Sequence, residues 1–255
     1  MKLGMIGFGN MAQAILRGLL VKQNIDPKEV YVCAAHYKKL CQRAETFNVN
    51  PCHDAQEVIE KSDMIILAIK PYQIEDVCGN LSFQNKIVVS VVAGKPYEVL
   101  SKICTNCALL CTIPNTPIAV GEGILLVEEQ TNCTPQQYEQ FRQVFEPIAL
   151  IEKIDADHMD IAMILSSCAP AFTAMYLEAL GDAGVKYGLK REEAYALASK
   201  MIEGVGALYL SEKQHPGVMK DAVCSPKGST IKGVCALEKG AFRHTVISAV
   251  DAIEK

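Results

Sequence analysis

The sequence lacks the features that mark several large classes of protein. It has no excess of basic residues, because 25 lysines and arginines stand against 29 aspartates and glutamates, for a net charge of −4. A weakly acidic chain is poorly suited to nucleic acid or to an anionic membrane surface. No uninterrupted apolar run approaches the roughly 18 residues of a membrane span. Residues 1–6 hold one lysine and turn glycine-rich, which predicts no signal peptide. These absences predict a soluble, cytoplasmic protein without a nucleic-acid or membrane partner.

The sequence also lacks the ligand spacing of a metal site. Its eleven cysteines are an odd number, and most lie in apolar runs, where a free thiol packs as a small hydrophobe. The densest cluster is Cys104, Cys107 and Cys111, and no fourth ligand follows at a matching spacing. The five histidines are scattered along the chain. We therefore predict no metal.

Two halves with different patterns are present, and they divide near residue 153. In the first half, short runs rich in Val and Ile alternate with helical spacing, which is typical of a parallel sheet with helices on both faces. Strands are predicted at 3–6, 30–34, 64–69, 87–93, 107–113, 124–128 and 150–154, with helices such as 10–23 and 37–47 between them. In the second half, helices are predicted at 158–185, 191–210, 217–222, 230–239 and 242–254. The predicted fold is an α/β Rossmann-type doubly wound domain at 1–153, followed by an all-α domain at 154–255.

The first motif is a glycine-rich turn, Gly7-Phe8-Gly9-Asn10-Met11-Ala12, between a predicted strand and a predicted helix. This is the context that the dinucleotide fingerprint requires. The first glycine makes the tight turn, the second lets the backbone approach a pyrophosphate, and the helix N-terminus meets the phosphate charge. The alternative is a glycine turn in an unrelated α/β fold.

The end of the second predicted strand bears on the choice of cofactor. An NAD site usually has Asp or Glu at that point, where it holds the ribose hydroxyls. Here the strand runs into Ala34 and Ala35, and then into His36-Tyr37-Lys38-Lys39. The missing acid and the cationic run favour the extra phosphate of NADPH, with weaker binding of NADH. An ordinary solvated helix start would give the same pattern.

Three further turns carry polar groups. Lys70-Pro71 and Pro114-Asn115-Thr116-Pro117 follow predicted strands, where ligands of open α/β sheets bind. Each alone has the composition of a plain turn. Ser225-Pro226-Lys227-Gly228-Ser229-Thr230 precedes a predicted helix in the second half. Its amides can bind an anion, although its hydroxyls also suit helix capping.

Taken together, these motifs resemble those of the Δ1-pyrroline-5-carboxylate reductase family. The resemblance extends over nearly the whole chain and rests on residues 7–12, 68–71, 89–94, 114–117, 215–221, 225–230 and 237–243. It implies hydride transfer from NADPH to the imine carbon of pyrroline-5-carboxylate, which yields proline in the last step of proline synthesis. The broad apolar faces of the predicted helices predict a homodimer through residues 155–255, with the substrate turn completed across the dimer. The resemblance implies that such dimers can form rings.

The resemblance also implies roles for individual residues. Thr230 is the predicted catalytic residue, whose hydroxyl bonds the ring nitrogen. Ser225, Gly228, Ser229 and Thr230 are the predicted substrate contacts. The predicted cofactor contacts are Ile6, Gly7, Gly9, Asn10, Met11, Ala34, His36, Asn50, Ala68, Ile69, Lys70, Pro71, Ala93 and Asn115.

Several positions depart from the family pattern. Ser167, Cys168 and Ala169 stand in a segment where the family has glycines, Lys227 replaces a usual glycine, and Cys111 replaces a common arginine.

Two other functions stay open. One is another imine or 3-hydroxyacid reductase of the same two-domain plan. Hydroxyacid enzymes of that type carry a lysine on the first long helix of the helical half, and this chain has no lysine between Lys153 and Lys186. The other is a non-catalytic NADPH-binding sensor, which would have no use for the polar turn at 225–230.

Overall fold

The computed structural model describes residues 1–254 and divides the chain into two compact units, Met1–Ser167 and Cys168–Lys255. The division lies later in the chain than the predicted boundary at residue 153. The reason is that the first helical residues after the last strand belong to the sheet unit. Ile164 and Ser166 are buried there, and the side chain of Asn115 donates a hydrogen bond to the carbonyl of Ser166 (2.9 Å).

The first unit is built on one eight-stranded sheet. Its strands are β1 (Leu3–Ile6), β2 (Val30–Cys33), β3 (Asn50–Pro51), β4 (Met64–Leu67), β5 (Ile87–Ser90), β6 (Ala108–Pro114), β7 (Gly123–Glu128) and β8 (Ala149–Ile154). Their order in the sheet is β3-β2-β1-β4-β5-β6-β7-β8. Neighbouring strands are parallel throughout, with the single exception of β6 and β7.

Helices cover both faces of this sheet. They are α1 (Asn10–Val21), α2 (Tyr37–Phe47), α3 (Ala55–Lys61), α4 (Ile74–Cys78), α5 (Tyr97–Leu100), α6 (Pro135–Phe145) and α7 (Met159–Met163). Apolar residues of α1, α2 and α6 form one core with alternate strand residues such as Met5 and Val32. Residues of α3, α4 and α5 form a second core with Ile6 and Ile65, which lie at the alternate strand positions. The predicted doubly wound fold is therefore confirmed.

Two details of the sheet differ from the prediction. The predicted parallel sheet contains one antiparallel pair, because β6 and β7 are joined by the short 3₁₀ segment Thr116–Val120. A parallel crossover needs a dozen or more residues, and this connection is shorter than that. Strand β3 was not predicted, since its two residues show no alternation of apolar and polar side chains.

The second unit is entirely helical. It contains α8 (Ala169–Lys186), α9 (Arg191–Glu212), α10 (Pro216–Ala222), α11 (Ser229–Lys239) and α12 (Phe242–Asp251). A side chain at Gly181 of α8 would begin 2.2 Å from the ring of Tyr195, so that glycine permits close packing of α8 against α9. Across the described residues of these two helices, only Gly181, Ala194 and Ala198 are buried.

One helical stretch corrects an expectation from the sequence. Ala156–Lys186, 31 residues with a mean hydropathy of 1.3 in its most apolar window, is long and apolar enough to cross a membrane by length and composition alone. It is the one such stretch in residues 1–254, and 11% of that window is buried. The stretch is not an uninterrupted apolar run, because two serines, a threonine and four acids interrupt it.

Candidate active site

The glycine turn after β1 has the geometry that a dinucleotide needs. Gly7 has φ +93°, and a Cβ built there would lie 2.5 Å from the carbonyl oxygen of Ala68. Only glycine fits, because both the backbone conformation and the neighbouring strand exclude a side chain. At Gly9, by contrast, a Cβ would meet no atom within 4 Å. That open space lies beside the backbone, where a pyrophosphate can approach.

The N-terminus of α1 follows this turn directly. Gly9 is its N-cap residue, no side chain of the described residues caps it, and its first turn holds no acid. Its amides are therefore free to bind an anion. The turn itself is held in place through the carbonyl of Phe8, which accepts hydrogen bonds from Gln13 Nε2 (3.1 Å) and Arg43 Nη1 (3.3 Å).

A cavity of about 540 Å³ opens over the carboxyl ends of β1, β2, β3 and β4. Many of the predicted cofactor contacts line it: Ile6, Gly7, Gly9, Ala34, His36, Ala68, Ile69 and Lys70. Parallel strands meet with their carboxyl ends at one edge of a sheet, and this explains why loops distant in sequence share the cavity. The glycine turn and the uncapped start of α1 beside it fit a dinucleotide.

Six of the predicted contacts do not line this cavity: Asn10, Met11, Asn50, Pro71, Ala93 and Asn115. Asn10 and Met11 are the first residues of α1, and Pro71 opens the 3₁₀ turn Pro71–Gln73. Ala93 lines a second cavity, of about 440 Å³, together with Met159 and Met163.

Two predicted contacts have side chains that already serve the fold. Asn50 begins β3, and its amide donates to the carbonyls of Lys28 (2.7 Å) and Val30 (3.0 Å), at the amino end of β2 and away from the cavity. Asn115 is buried, its Nδ2 donates to Ser166, and its Oδ1 accepts from the amide of Ile124 (2.8 Å). Neither amide has been brought to the cavity by the fold.

Charged residues that the sequence analysis did not assign also line the cavity. They are Arg43 of α2, His53 and Asp54, and they join Lys39 of the predicted cationic run. Lys39 and Arg43 are four residues apart on α2 and so lie on one face, which the sequence spacing could have revealed. Asp54 supplies an acid from the end of β3, although the end of β2 has none.

The cysteine near this cavity is a neutral thiol. Burial raises the pKa of Cys33 to about 12, against a smaller lowering by the amide of Gly7. At neutral pH it is therefore protonated and packs as an apolar residue. Among the described residues, no group of three or more His, Cys, Asp and Glu side chains is arranged to hold a metal ion.

The polar turn in the helical unit presents a second set of free amides. Residues 225–228 form a β-turn closed by a hydrogen bond from the amide of Gly228 to the carbonyl of Ser225 (3.0 Å). Gly228 is the N-cap residue of α11, and no side chain of the described residues caps that helix. Ser229 and Thr230 are therefore not the N-cap residue, because they are the first two residues of the helix itself. Both are exposed.

Comparison with known proteins agrees with both halves of this picture. Residues 156–255 match the family model described as pyrroline-5-carboxylate reductase dimerisation, and residues 2–94 match the model of NADP oxidoreductases that are coenzyme F420-dependent. A pyrroline-5-carboxylate reductase of Treponema pallidum is 39% identical over 99% of this chain and 98% of its own length. One from Arabidopsis thaliana is 37% identical over the whole of this chain and 93% of its own. The crystal structure of Plasmodium falciparum pyrroline carboxylate reductase with NADP bound superimposes with a TM-score of 0.83, at 29% identity, over 99% of this chain and 95% of that one.

Proposed function

The chain belongs to the pyrroline-5-carboxylate reductase family, and we propose that it reduces L-1-pyrroline-5-carboxylate to L-proline with NADPH, the last step of proline biosynthesis. The relatives that carry this name cover the chain almost from end to end. NADH is proposed as the weaker cofactor.

The observation that carries the proposal is the uncapped start of α11. No side chain of residues 1–254 caps its amides, and they can donate hydrogen bonds to the substrate carboxylate. A side chain at Gly228 would begin 3.0 Å from the carbonyl of Ser225 and 2.5 Å from its hydroxyl, so glycine lets the tight turn that presents these amides form without crowding. The turn contains no Asp or Glu and therefore does not repel an anionic substrate.

Thr230 acts on the other side of the proposed substrate. The ring nitrogen of the protonated imine donates a hydrogen bond to the Thr230 hydroxyl oxygen, which fixes the orientation of the ring. Because the nitrogen already carries its proton, a hydride added to the imine carbon gives the neutral secondary amine directly. No side-chain base is required, and none is present in the turn.

The proposed NADPH site uses the cavity over the sheet. The Gly7–Gly9 turn and the amides of α1 would hold the pyrophosphate, and His36, Lys39 and Arg43 would neutralise the 2′-phosphate. Bound NADPH supplies the hydride.

A homodimer is part of the proposal, and the exposed apolar surface of the helical unit supports it. Met175 is 70% exposed and Leu197 is 64% exposed. Exposing apolar surface to water is unfavourable, and packing against another chain would bury it. The same surface accounts for the apolar exposure of Ala156–Lys186 without a membrane. Rings of dimers and a cytoplasmic location remain predictions from the resemblance and the composition.

Two substitutions at Thr230 test the proposal. Thr230→Val keeps the β-branched shape and removes the hydroxyl, and a hydrogen bond to a charged group is worth about 1.5–3 kcal/mol. We expect kcat/KM for the imine to fall about 10- to 150-fold, while Thr230→Ser loses much less. NADPH affinity should not change in either variant, because the glycine turn and its cavity belong to the sheet unit.

The readout is the oxidation of NADPH followed by absorbance, with thermal melts of the same samples. A folded Thr230→Val protein with the wild-type kcat/KM would contradict the catalytic role. A lower melting temperature with unchanged kcat/KM would instead indicate that Thr230 serves only to stabilise the helix.

A further inference from the structure

Asp54 lines the part of the cavity where NAD-binding sheets have the acid that binds the ribose hydroxyls. That acid usually follows β2, whereas Asp54 follows β3. In NAD sites an acid at the end of β2 accepts hydrogen bonds from the ribose hydroxyls. Here β2 ends at Cys33, and Ala34 and Ala35 follow. Strand β3 runs parallel beside it, and the amide of Cys52 donates to the carbonyl of Val32 (2.8 Å). The residues just beyond, including Asp54, reach the same cavity.

Asp54 lines that cavity together with basic residues. His36, Lys39, Arg43 and His53 line it with Asp54. None of these side chains forms an ion pair with Asp54 in the described part of the chain. Its one hydrogen bond is within α3, where Oδ1 accepts from the amide of Glu57 (2.9 Å) as the helix N-cap. The other oxygen has no hydrogen-bond partner among residues 1–254, and the residue is exposed.

Helix capping alone does not require a charged residue at this position. Asn and Ser cap a helix about as well as Asp does. A negative charge in a cavity lined by basic residues has a further consequence, because it changes the affinity of the cavity for an anionic ligand. It repels a 2′-phosphate, whereas it accepts a hydrogen bond from a free 2′-hydroxyl.

We propose that Asp54 is a specificity-determining residue of the cofactor site. Its carboxylate lowers the affinity of the site for the 2′-phosphate of NADPH. It raises the affinity for the unphosphorylated ribose of NADH, so that the enzyme accepts NADH beside NADPH. The inference rests on the proposed use of this cavity for a nicotinamide dinucleotide. Asp54 and the cations thus set the ratio of the two cofactors between them.

The test is a binding titration of the full chain with 2′,5′-ADP and with 5′-ADP, which differ in the 2′-phosphate alone. Asp54→Asn keeps the helix cap and removes the charge. We expect 2′,5′-ADP to bind about three- to thirtyfold more tightly, which corresponds to about 0.7–2 kcal/mol. Binding of 5′-ADP should stay level or weaken. Asp54→Ser, a second capping variant without charge, should behave in the same way.

A matched change of opposite sign comes from the same cavity. Lys39→Gln removes a positive charge. It should weaken the binding of 2′,5′-ADP and leave the binding of 5′-ADP nearly unchanged. The effects of both substitutions should shrink as salt is raised, because the charges at this open cavity are screened. The ratio of kcat/KM for NADPH to that for NADH should rise in Asp54→Asn by the same factor as the binding ratio.

The outcomes separate this inference from the proposed reaction. An unchanged preference for 2′,5′-ADP over 5′-ADP in folded Asp54→Asn and Asp54→Ser would overturn the role of Asp54 and leave the reductase proposal standing. Failure of the wild-type protein to bind either nucleotide would overturn both. A shifted nucleotide preference in a protein that does not reduce the imine would support Asp54 and contradict the proposed reaction.

Discussion

Replacing Lys227 by glycine should raise the stability of the protein and lower its kcat/KM for the imine. Lys227 has φ +61° and is the third residue of the β-turn that Ser225 opens and Gly228 closes. With Pro226 second, this is the type II pattern, whose third position requires φ above zero and is usually glycine. For a residue with a side chain, that conformation is less favourable than the right-handed one by about 1–2 kcal/mol.

The gain is partly offset in the unfolded chain. Glycine loses about 0.5–1 kcal/mol more backbone entropy on folding than other residues do. The difference leaves a net stabilisation of about 0.5–1 kcal/mol, which for a chain of this size raises the melting temperature by about 1–4 °C. Melts must be run at one protein concentration, because association shifts the apparent stability of a dimer.

The enzymatic effect should have the opposite sign. The Lys227 ammonium belongs to the turn whose amides we propose to bind the substrate carboxylate, and an exposed charge pair is worth about 0.2–1 kcal/mol. We therefore expect kcat/KM for the imine to fall by up to about fivefold. Lys227→Arg keeps the charge and should keep kcat/KM.

A matched control lies on another helix of the same unit. Lys213 has φ +54° and caps the C-terminus of α9. Lys213→Gly makes the same chemical change at a similar backbone conformation, so it should also stabilise the protein but leave kcat/KM unaltered. A lower melting temperature for Lys227→Gly would refute the reasoning about strain. An equal loss of kcat/KM in both variants would refute the reasoning about charge.

Three further predictions follow from the geometry. Gly9→Ala places a methyl group in open space, so the fold should survive while NADPH affinity falls about 5- to 150-fold; Gly7→Ala should instead lower the melting temperature, as its Cβ would meet a carbonyl at 2.5 Å. Sedimentation should show a dimer, and a stable, active monomer at nanomolar concentration would count against it. Asp155 raises the pKa of His158 through a direct hydrogen bond (2.8 Å). This ion pair is present below the His158 pKa and is lost as pH rises through it, so Asp155→Asn should shift the His158 titration in NMR spectra to lower pH.

The sequence was a good guide to the elements of the fold that repeat a simple pattern. All seven predicted strands are present within a few residues of their predicted ends. Six of them are almost wholly buried and are nearly continuous apolar runs, whereas β8 is partly exposed and contains Glu152 and Lys153. Helices α3, α4 and α5 were not predicted, as each is at most seven residues long and shows no repeated apolar face. Whether β6 and β7 pair parallel or antiparallel depends on the path between them, which apolar spacing does not encode.

The candidate site divides in the same way between local and distant causes. The glycine turn could be predicted because its chemistry lies in adjacent residues. Gly7 adopts a positive φ, and Gly9 has no side chain to block a ligand. Asp54 could not, since its place beside the end of β2 depends on the pairing of β2 with β3. The short strand β3 shows no apolar and polar alternation of its own, so nothing in the sequence indicated that residues beyond it reach the cavity.

A polar residue after a strand or before a helix is ambiguous for a physical reason. Binding a ligand and holding the fold together both require hydrogen-bonding atoms at the same kind of position. The structure separates the two cases by showing which atoms are already used. The Asn115 amide donates to the carbonyl of Ser166 and accepts from the amide of Ile124, so its side chain already serves the fold of the sheet unit. At the start of α11 no side chain of the described residues caps the amides, and hydrogen-bonding groups left free at an exposed helix end are those that a substrate can use.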